Sequence, residues 1–192
     1  MHADVRFERE ATAVIATTVS RFGRLDVTVN NAGTEGRLAP VVESTILQYA
    51  ATFGTNVLAT LLSVKHELRV MQRQGSGAII NITSVFGDKG APSSALDVAS
   101  NHALIGLTRI AALGAVPFGV RINAVGPGYV DTAMFARAAS PDNQAAGTGR
   151  VPQHGRAGRP DEVADAVMFL AGPEAPYLTG QTLFLDGRVK AN

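Results

Sequence analysis

The chain has 192 residues, of which 46% are hydrophobic and 17% charged, a composition typical of one folded domain and not of a disordered segment. Its net charge of +1, its low aromatic content and its lack of tryptophan argue against a nucleic-acid-binding surface. It contains no cysteine, which excludes disulfides, thiolate metal ligands and a cysteine nucleophile. Neither a signal-peptide pattern nor a long apolar run occurs, so we expect a cytoplasmic protein without membrane contact.

The first part of the chain predicts two helices around a short strand. Apolar side chains at helical spacing predict a helix over residues 8–22, with Gly23 as its C-terminal stop. The run "LDVTVNNAG" predicts a strand at 25–30 that ends in a tight turn. Residues 44–73 carry a long amphipathic pattern that predicts a second helix, which ends at the turn signal "QGSG".

The middle of the chain continues this alternation. "AIINITSV" predicts a strand at 78–83 that is apolar on both faces, as in a parallel sheet covered by helices. Helical spacing returns over residues 95–115, and Pro117 stops that helix. "VRINAVGPG" then predicts a strand at 120–125 that ends in a Pro-Gly turn.

The last part begins with an irregular segment. Residues 131–158 are rich in Ala, Gly, Pro and Arg without a sustained period, which predicts a long loop or a short helical insertion. "RPDEVADAVMFLAG" predicts a helix with Pro160 in its first turn, and "QTLFLDG" predicts a final strand at 182–186. The order of elements predicts a single α/β domain over residues 1–192, with a mainly parallel sheet and helices on both faces.

Six short motifs occur in one order along the chain. They are "NNAG" (30–33), "GTNV" around Asn56, "NITSVFG" (81–87), "VASNHALIGLTR", "RINAVGPGYVDT" and "TGQTLFLDG". In this order and spacing the chain resembles the short-chain dehydrogenase/reductases, most of all the beta-ketoacyl carrier-protein reductases and the bacterial alcohol and steroid dehydrogenases. The resemblance implies an incomplete Rossmann-like, doubly wound sheet. It also implies hydride transfer between NAD or NADP and a carbonyl or hydroxyl carbon of a small molecule.

The resemblance further implies which positions contact the coenzyme. Those on its adenine and ribose side are Asp4, Val5, Asn30, Ala32 and Gly33, and those at its nicotinamide end are Gly126, Pro127, Gly128, Val130 and Thr132. The family holds the pyrophosphate on a Gly-rich turn at a helix N-terminus, and no such turn precedes "NNAG". We therefore expect the first strands of the family fold, roughly 55 to 60 residues, to be missing and coenzyme binding to be weak or lost.

Catalytic positions are also implied. Asn56 matches the residue that kinks the long helix and holds a proton-relay water, and Ser84 matches the serine that hydrogen-bonds the substrate oxygen. The family has a tyrosine thirteen residues after this serine and a lysine four residues further on. In this chain those positions are Asp97 and Asn101.

The exchange of this pair changes the expected chemistry. The family's tyrosine is the acid/base, and the lysine lowers its pKa from about 10. An aspartate with a pKa near 3.9 is protonated in about one molecule per thousand at pH 7, and burial would have to raise the pKa of Asp97 by about three units to make it an acid. Its side chain is also shorter, so we expect hydride transfer to be impaired by about 10²- to 10⁴-fold from this loss alone.

Three functions remain open at this point. The chain is a residually active oxidoreductase, a non-catalytic family member that acts through partners, or a lyase or isomerase that uses Asp97 as a base. The resemblance implies a dimer or tetramer formed through helices 44–73 and 95–115. The strand "LDVTV" is expected at an apolar edge of the sheet. His102 is a further candidate acid, but no histidine has a second ligand at metal spacing, so no metal site is expected.

Overall fold

The computed structural model describes residues 2–138, 156–187 and 189. Four strands form one fully parallel sheet, in the order β1 (Val27–Asn30), β2 (Gly77–Ile82), β3 (Val120–Pro127) and β4 (Thr182–Leu185). The α/β class and the parallel sheet predicted from the sequence are confirmed, and each predicted strand lies within two residues of its observed bounds.

Helices connect the strands. They are α1 (Glu8–Phe22), α2 (Ile46–Phe53), α3 (Ala59–Gln74), α4 (Ala95–Ala115), α5 (Ala133–Ala138) and α6 (Pro160–Ala171). Short 3-10 turns lie at Val41–Glu43, Val85–Gly87 and Val116–Phe118. As predicted, α1 ends at Gly23, whose φ of 77° glycine adopts without steric cost. Of the irregular segment 131–158, α5 lies at the start, and residues 139–155 fall outside the described ones.

The helix predicted over residues 44–73 is interrupted in the structure. It begins with a capping box, in which the Thr45 hydroxyl accepts from Gln48 N while Gln48 Oε1 accepts from Thr45 N. A π-helical segment, Gly54–Leu58, then separates α2 from α3, with the buried Asn56 at its centre. Such segments occur often at functional sites. The sequence pattern did not predict this segment because the apolar periodicity continues through it.

Both faces of the sheet are covered. Ile79 of β2 packs in a cluster that includes Val64 and Met71 of α3, whereas the next residue, Ile80, packs with Leu170 of α6. Side chains alternate across a strand, so these two clusters lie on opposite faces. The arrangement explains why β2 carries apolar side chains on both faces, as the sequence predicted.

The strand β1 lies at one edge of this sheet, as expected, and its Val27 and Val29 are 44% and 46% exposed. Within the described residues, no helix is both long enough and apolar enough to cross a membrane.

Candidate active site

The candidate residues gather where β1, β2 and β3 reach their carboxyl ends, the edge at which open α/β sheets bind ligands. Asn30 closes β1, Thr83 and Ser84 follow β2, and Gly128 follows β3. The first turns of α4 pack over this edge against the 3-10 turn at Val85–Gly87. The sheet therefore brings together side chains from four separate motifs of the sequence.

Asn56 joins three parts of the site. Its Oδ1 accepts a hydrogen bond from Thr34 N at 2.8 Å, and its Nδ2 donates to Thr34 O at 2.9 Å. The same Nδ2 donates to Ser100 Oγ of α4 at 2.9 Å. The π-helical segment thus fixes both the loop after β1 and the start of α4.

Asp97 and Asn101 form a hydrogen-bonded pair on one face of α4. Asn101 Nδ2 donates to Asp97 Oδ1 at 2.8 Å, as side chains four residues apart on a helix can do. Asn101 is buried, and its Oδ1 accepts from Thr83 Oγ1 at 3.1 Å, which fixes the direction of the amide. Through Asn101, the pair is thereby hydrogen-bonded to Thr83, the residue after β2.

The Asp97 carboxyl is protonated far more often than an ordinary aspartate. Burial raises its pKa from 3.8 to about 7, the negative charge of Glu35 adds to the rise, and the hydrogen bond from Asn101 opposes it. A group with a pKa near 7 is about half protonated at neutral pH. The proportion of one protonated molecule per thousand holds for an unperturbed aspartate, and at this site burial together with Glu35 supplies the shift of about three units that an acid needs.

Ser84 lies between β2 and the 3-10 turn at Val85–Gly87, as the N-cap of that turn. Its Oγ accepts from Phe86 N at 3.2 Å, so it caps the turn and is partly buried. It lies one residue beyond Thr83, which bonds to Asn101. His102, the other candidate acid, is exposed, and its Nδ1 lies 2.9 Å from Val98 O in its own helix.

Of the five residues expected on the adenine side of the coenzyme, three line one cavity and two do not. Val5, Asn30 and Ala32 line a cavity of about 100 Å³ at the end of β1, together with Asn31, Ala59, Thr60, Ser63 and Val29. Gly33 lies beside Asn56, whose Oδ1 would be 3.7 Å from a Cβ at that position. Asp4 does not line this cavity, and its carboxylate binds Arg6 Nη2 at 2.6 Å.

The expected nicotinamide-side residues follow β3. A Cβ at Gly126 or Gly128 would collide with Phe184 or with Asp186 Cα, so these glycines permit close packing on the β4 strand and the residues after it. Pro127 ends β3, and Val130 lines a second cavity, of about 260 Å³, that also borders Tyr129 and Val163. The exposed Thr132 caps α5, since its Oγ1 accepts from Phe135 N at 3.2 Å.

Several residues of the site were not predicted from the sequence. Glu35 acts on the charge of Asp97, Arg137 binds Glu35, and Ser100 donates to Asp97 O at 2.9 Å. Glu67 is buried beneath Asn30, whose Nδ2 donates to Glu67 Oε2 at 3.1 Å. A charged residue inside the apolar stripe of the helix at 44–73 was the one available signal for Glu67. Within the described part of the chain, no group of three or more His, Asp or Glu side chains is placed to hold a metal ion.

Known proteins match this chain in sequence and in fold. A family model described as enoyl-(acyl carrier protein) reductase matches residues 1–189. The cis-4-hydroxycyclohexanecarboxylate dehydrogenase of Sinomonas cyclohexanicum is 37% identical over 187 residues, which are 97% of this chain and 74% of that protein. The chain belongs to the short-chain dehydrogenase/reductase family. This family is one of NAD(P)-dependent oxidoreductases, and the predicted membership is confirmed.

Two solved structures of short-chain dehydrogenase/reductases match almost all of the chain. ElxO with NADP bound is 33% identical with a TM-score of 0.89, covering 98% of this chain and 77% of that one. Xylitol dehydrogenase with NAD+ bound is 32% identical with a TM-score of 0.89, covering 96% of this chain and 76% of that one. Both coenzymes therefore occur among proteins of this fold and similarity.

Proposed function

We propose that this short-chain dehydrogenase/reductase oxidises or reduces a small secondary alcohol or ketone slowly, with Asp97 as its acid/base. One observation carries this proposal. Asp97 stands at the family's acid/base position with a pKa of about 7, so it exchanges a proton near neutral pH. Relatives named for the oxidation of a cyclic hydroxy acid and of xylitol support an alcohol or ketone as substrate.

The neighbours of Asp97 suit this role. Ser84 follows the strand whose end binds Asn101, which places its hydroxyl at the same edge as a donor for the substrate oxygen. Asn56 holds the start of α4 through Ser100, which keeps the first turn in place. An acid with a pKa close to the working pH is the most effective proton donor and acceptor.

The rate is expected to be low for two reasons. The aspartate side chain is shorter than tyrosine by most of a phenol ring, so its proton stands further from a substrate held by Ser84. Asn101 supplies no cation at the position of the family's lysine, so the charge of the alkoxide and the coenzyme ribose lose a partner. Misplacement of an acid/base lowers the reaction rate by roughly 10²- to 10⁴-fold.

The described residues suit one end of a nicotinamide dinucleotide. The cavity of about 100 Å³ at the end of β1 is smaller than the roughly 300 to 1,000 Å³ of most ligand sites, and Val5, Asn31 and Ser63 line it with mixed polarity. This volume suits an adenine or a ribose, with Asn30, Ala32 and Gly33 beside it. When bound, the coenzyme supplies or accepts the hydride. We propose weak binding of NAD(P), held at this end by these residues.

A lyase or isomerase is the second candidate. A half-ionised carboxyl at pH 7 is a competent base for proton abstraction next to a carbonyl, and the neutral Asn101 adds no cation that would lower its pKa and weaken it as a base. This function needs no hydride. It predicts conversion of a substrate without any change in nicotinamide absorbance.

A coenzyme titration and a turnover assay test these functions together. Binding of NADH and NADPH is followed by nicotinamide fluorescence, and reduction of cyclic and open-chain ketones is followed by absorbance. The variant Asp97→Tyr/Asn101→Lys restores the family's pair and is expected to turn over at least 10² times faster than the parent and to bind the coenzyme more tightly, because the lysine returns a cation beside the ribose. Binding by neither form would contradict the oxidoreductase and leave the non-catalytic and lyase readings.

We also propose that the chain assembles through α3 and α4. Leu58 and Leu61 on this stretch of the long helix, and Ile110 and Leu113 on α4, are large apolar side chains exposed to solvent. Large apolar side chains exposed on two helices that pack together are a common feature of interaction sites. Sedimentation analysis of Leu113→Glu, beside the parent chain, is expected to show a shift toward monomer.

A further inference from the structure

Glu35 is held in a tight turn that small side chains make possible. Gly36 has a φ of +64°, and a Cβ at that position would lie 2.6 Å from Thr52 Oγ1, so only glycine fits. Thr34 Oγ1 accepts from Gly36 N at 3.1 Å, and Asn56 binds both Thr34 N and Thr34 O. The position of Glu35 is therefore fixed by bonds on both sides of it.

The same bonds connect this turn to Asp97. Asn56 Nδ2 bridges the turn to Ser100 Oγ, and Ser100 Oγ donates to Asp97 O at 2.9 Å. A parallel β-bridge between Ala39 and Ser94 fastens the end of the loop to the residue before α4. The loop and the first turn of α4 thus form one hydrogen-bonded unit, which holds two carboxyl groups close enough to influence each other.

Arg137 of α5 determines the charge of Glu35. Its Nε donates to Glu35 Oε1 at 2.9 Å and its Nη2 donates to Oε2 at 3.2 Å, a two-point contact. Burial raises the pKa of Glu35, but the Arg137 guanidinium and a backbone hydrogen bond together outweigh burial and hold the pKa below its usual value. Glu35 is therefore ionised at neutral pH, and the cation beside it partly neutralises its field.

Glu35 is the charged group of the described residues that acts on Asp97. Asn101, on the same helix, is neutral, and Tyr49 on α2, Arg121 on β3 and Glu67 on α3 do not contribute to the shift. On α3, Lys65 and His66 bind Glu8 of α1, and Arg69 and Arg73 do not contribute to the shift. Like charges disfavour ionisation, so an ionised Glu35 favours the protonated form of Asp97.

We propose that Glu35 is a positioning residue that keeps the proton on Asp97, and that Arg137 sets the strength of this effect. The use of that proton in catalysis rests on the proposed function, but the coupling itself does not. Any group that draws the guanidinium away from Glu35 strengthens the field at Asp97 and raises its proton affinity. The pair thus links α5 to the protonation of the first turn of α4.

The test is a direct titration of Asp97 by NMR. The carboxyl carbon of ¹³C-labelled aspartate is followed from pH 4 to pH 9, and Asp97→Asn assigns its resonance. In Glu35→Gln the midpoint is expected to fall by about half to one pH unit, a three- to tenfold larger ionisation constant, because one charge is removed. In Arg137→Gln the midpoint is expected to rise, because Glu35 loses its cation.

Matched controls separate this coupling from general effects. Glu43 and Arg37 form an ion pair on the same loop, but the Glu43 side chain is 52% exposed whereas that of Glu35 is 19% exposed. Glu43→Gln is expected to leave the midpoint of Asp97 unchanged. Glu35→Asp keeps the negative charge and is expected to give a midpoint between that of Glu35→Gln and that of the parent chain. Unchanged midpoints in both charge variants, or shifts in the same direction, would overturn the proposal. A shift without turnover would uphold it and remove only the proposed function.

Discussion

Among the described residues, two carboxyl groups have a pKa of about 7, and they differ in what surrounds them. Burial is the main cause of the raised pKa both of Glu67 on α3 and of Asp97 on α4. Glu67 is only 4% exposed and contacts neutral partners, whereas Asp97 is partly buried and lies in the field of a second carboxylate. The same pKa therefore arises in two electrostatic settings.

The surroundings of Glu67 form a closed chain of amides. Asn30 Nδ2 donates to Glu67 Oε2 at 3.1 Å and to Asn81 Oδ1 at 3.0 Å, and Asn81 Nδ2 donates to Thr108 Oγ1 at 3.0 Å. Thr108 Oγ1 in turn donates to Leu104 O. This network joins β1, β2 and α4 through hydrogen bonds to neutral side chains.

The contacts around Asp97, in contrast, extend to other elements of the fold. Its partners reach the loop after β1 through Asn56 and reach α5 through Glu35 and Arg137. A perturbed pKa alone indicates either a structural or a functional role. The place of the carboxyl at the open edge of the sheet, with a second charge beside it, is what distinguishes Asp97 from Glu67.

The largest expected effect is on catalysis. Asp97→Asn keeps the size of the side chain and its contact with Asn101 but removes the proton that the site exchanges, so turnover of a ketone with NADPH or NADH should fall by about 10²- to 10⁴-fold. Glu67→Gln is the matched variant and should change turnover by less than about threefold. Equal losses in the two variants would show that Asp97 acts only through the stability of the fold. Steady-state rates beside thermal melts distinguish these outcomes.

The next effect is on stability and depends on pH. Burial raises the pKa of Glu67 from 4.5 to about 7, and contacts with Asn30 and Thr28 oppose the rise. Between these two values the folded protein holds a proton that the unfolded chain has lost. The free energy of unfolding that Glu67 contributes is therefore complete below pH 4.5 and falls as the pH rises to 7, by about 3 kcal/mol in total.

Urea unfolding at several pH values measures this loss. Glu67→Gln keeps the acceptor for Asn30 and has no charge to bury, so its stability is expected to fall much less between pH 5 and pH 8 than that of the parent chain. Asp97→Asn should remove a separate part of the same pH dependence, because the pKa of Asp97 is raised in the same direction. A parent chain whose stability rises between pH 5 and pH 8 would contradict the buried state of both groups.

The difference between these regions was only partly predictable from the sequence. Local patterns were enough to predict the strands and α4, since the apolar period and the stops at Gly23 and Pro117 depend on near neighbours. The motif order located Asn56, Ser84, Asp97 and Asn101. The pKa of Asp97 was not predictable, because Glu35 lies 62 residues earlier in the chain and its effect depends on tertiary contact. Arg137 binds Glu35 across 102 residues, which no local period indicates.

The smallest expected effect concerns the backbone that leads into α4. Ser93 has a φ of 60°, a left-handed conformation that costs an L-residue roughly 1 kcal/mol and that glycine adopts freely. Ser93→Gly is expected to raise the free energy of unfolding by about 0.5 kcal/mol, since the relief of strain exceeds the added entropy of the unfolded chain only slightly. If the turn only presents Asp97 passively, the NMR midpoint of Asp97 and the turnover rate stay unchanged in this variant. If the strain is needed to hold Asp97 beside Glu35, the free energy of unfolding rises while the NMR midpoint of Asp97 falls toward its value in Glu35→Gln. That result would connect the backbone conformation of residue 93 to the electrostatic difference between Asp97 and Glu67.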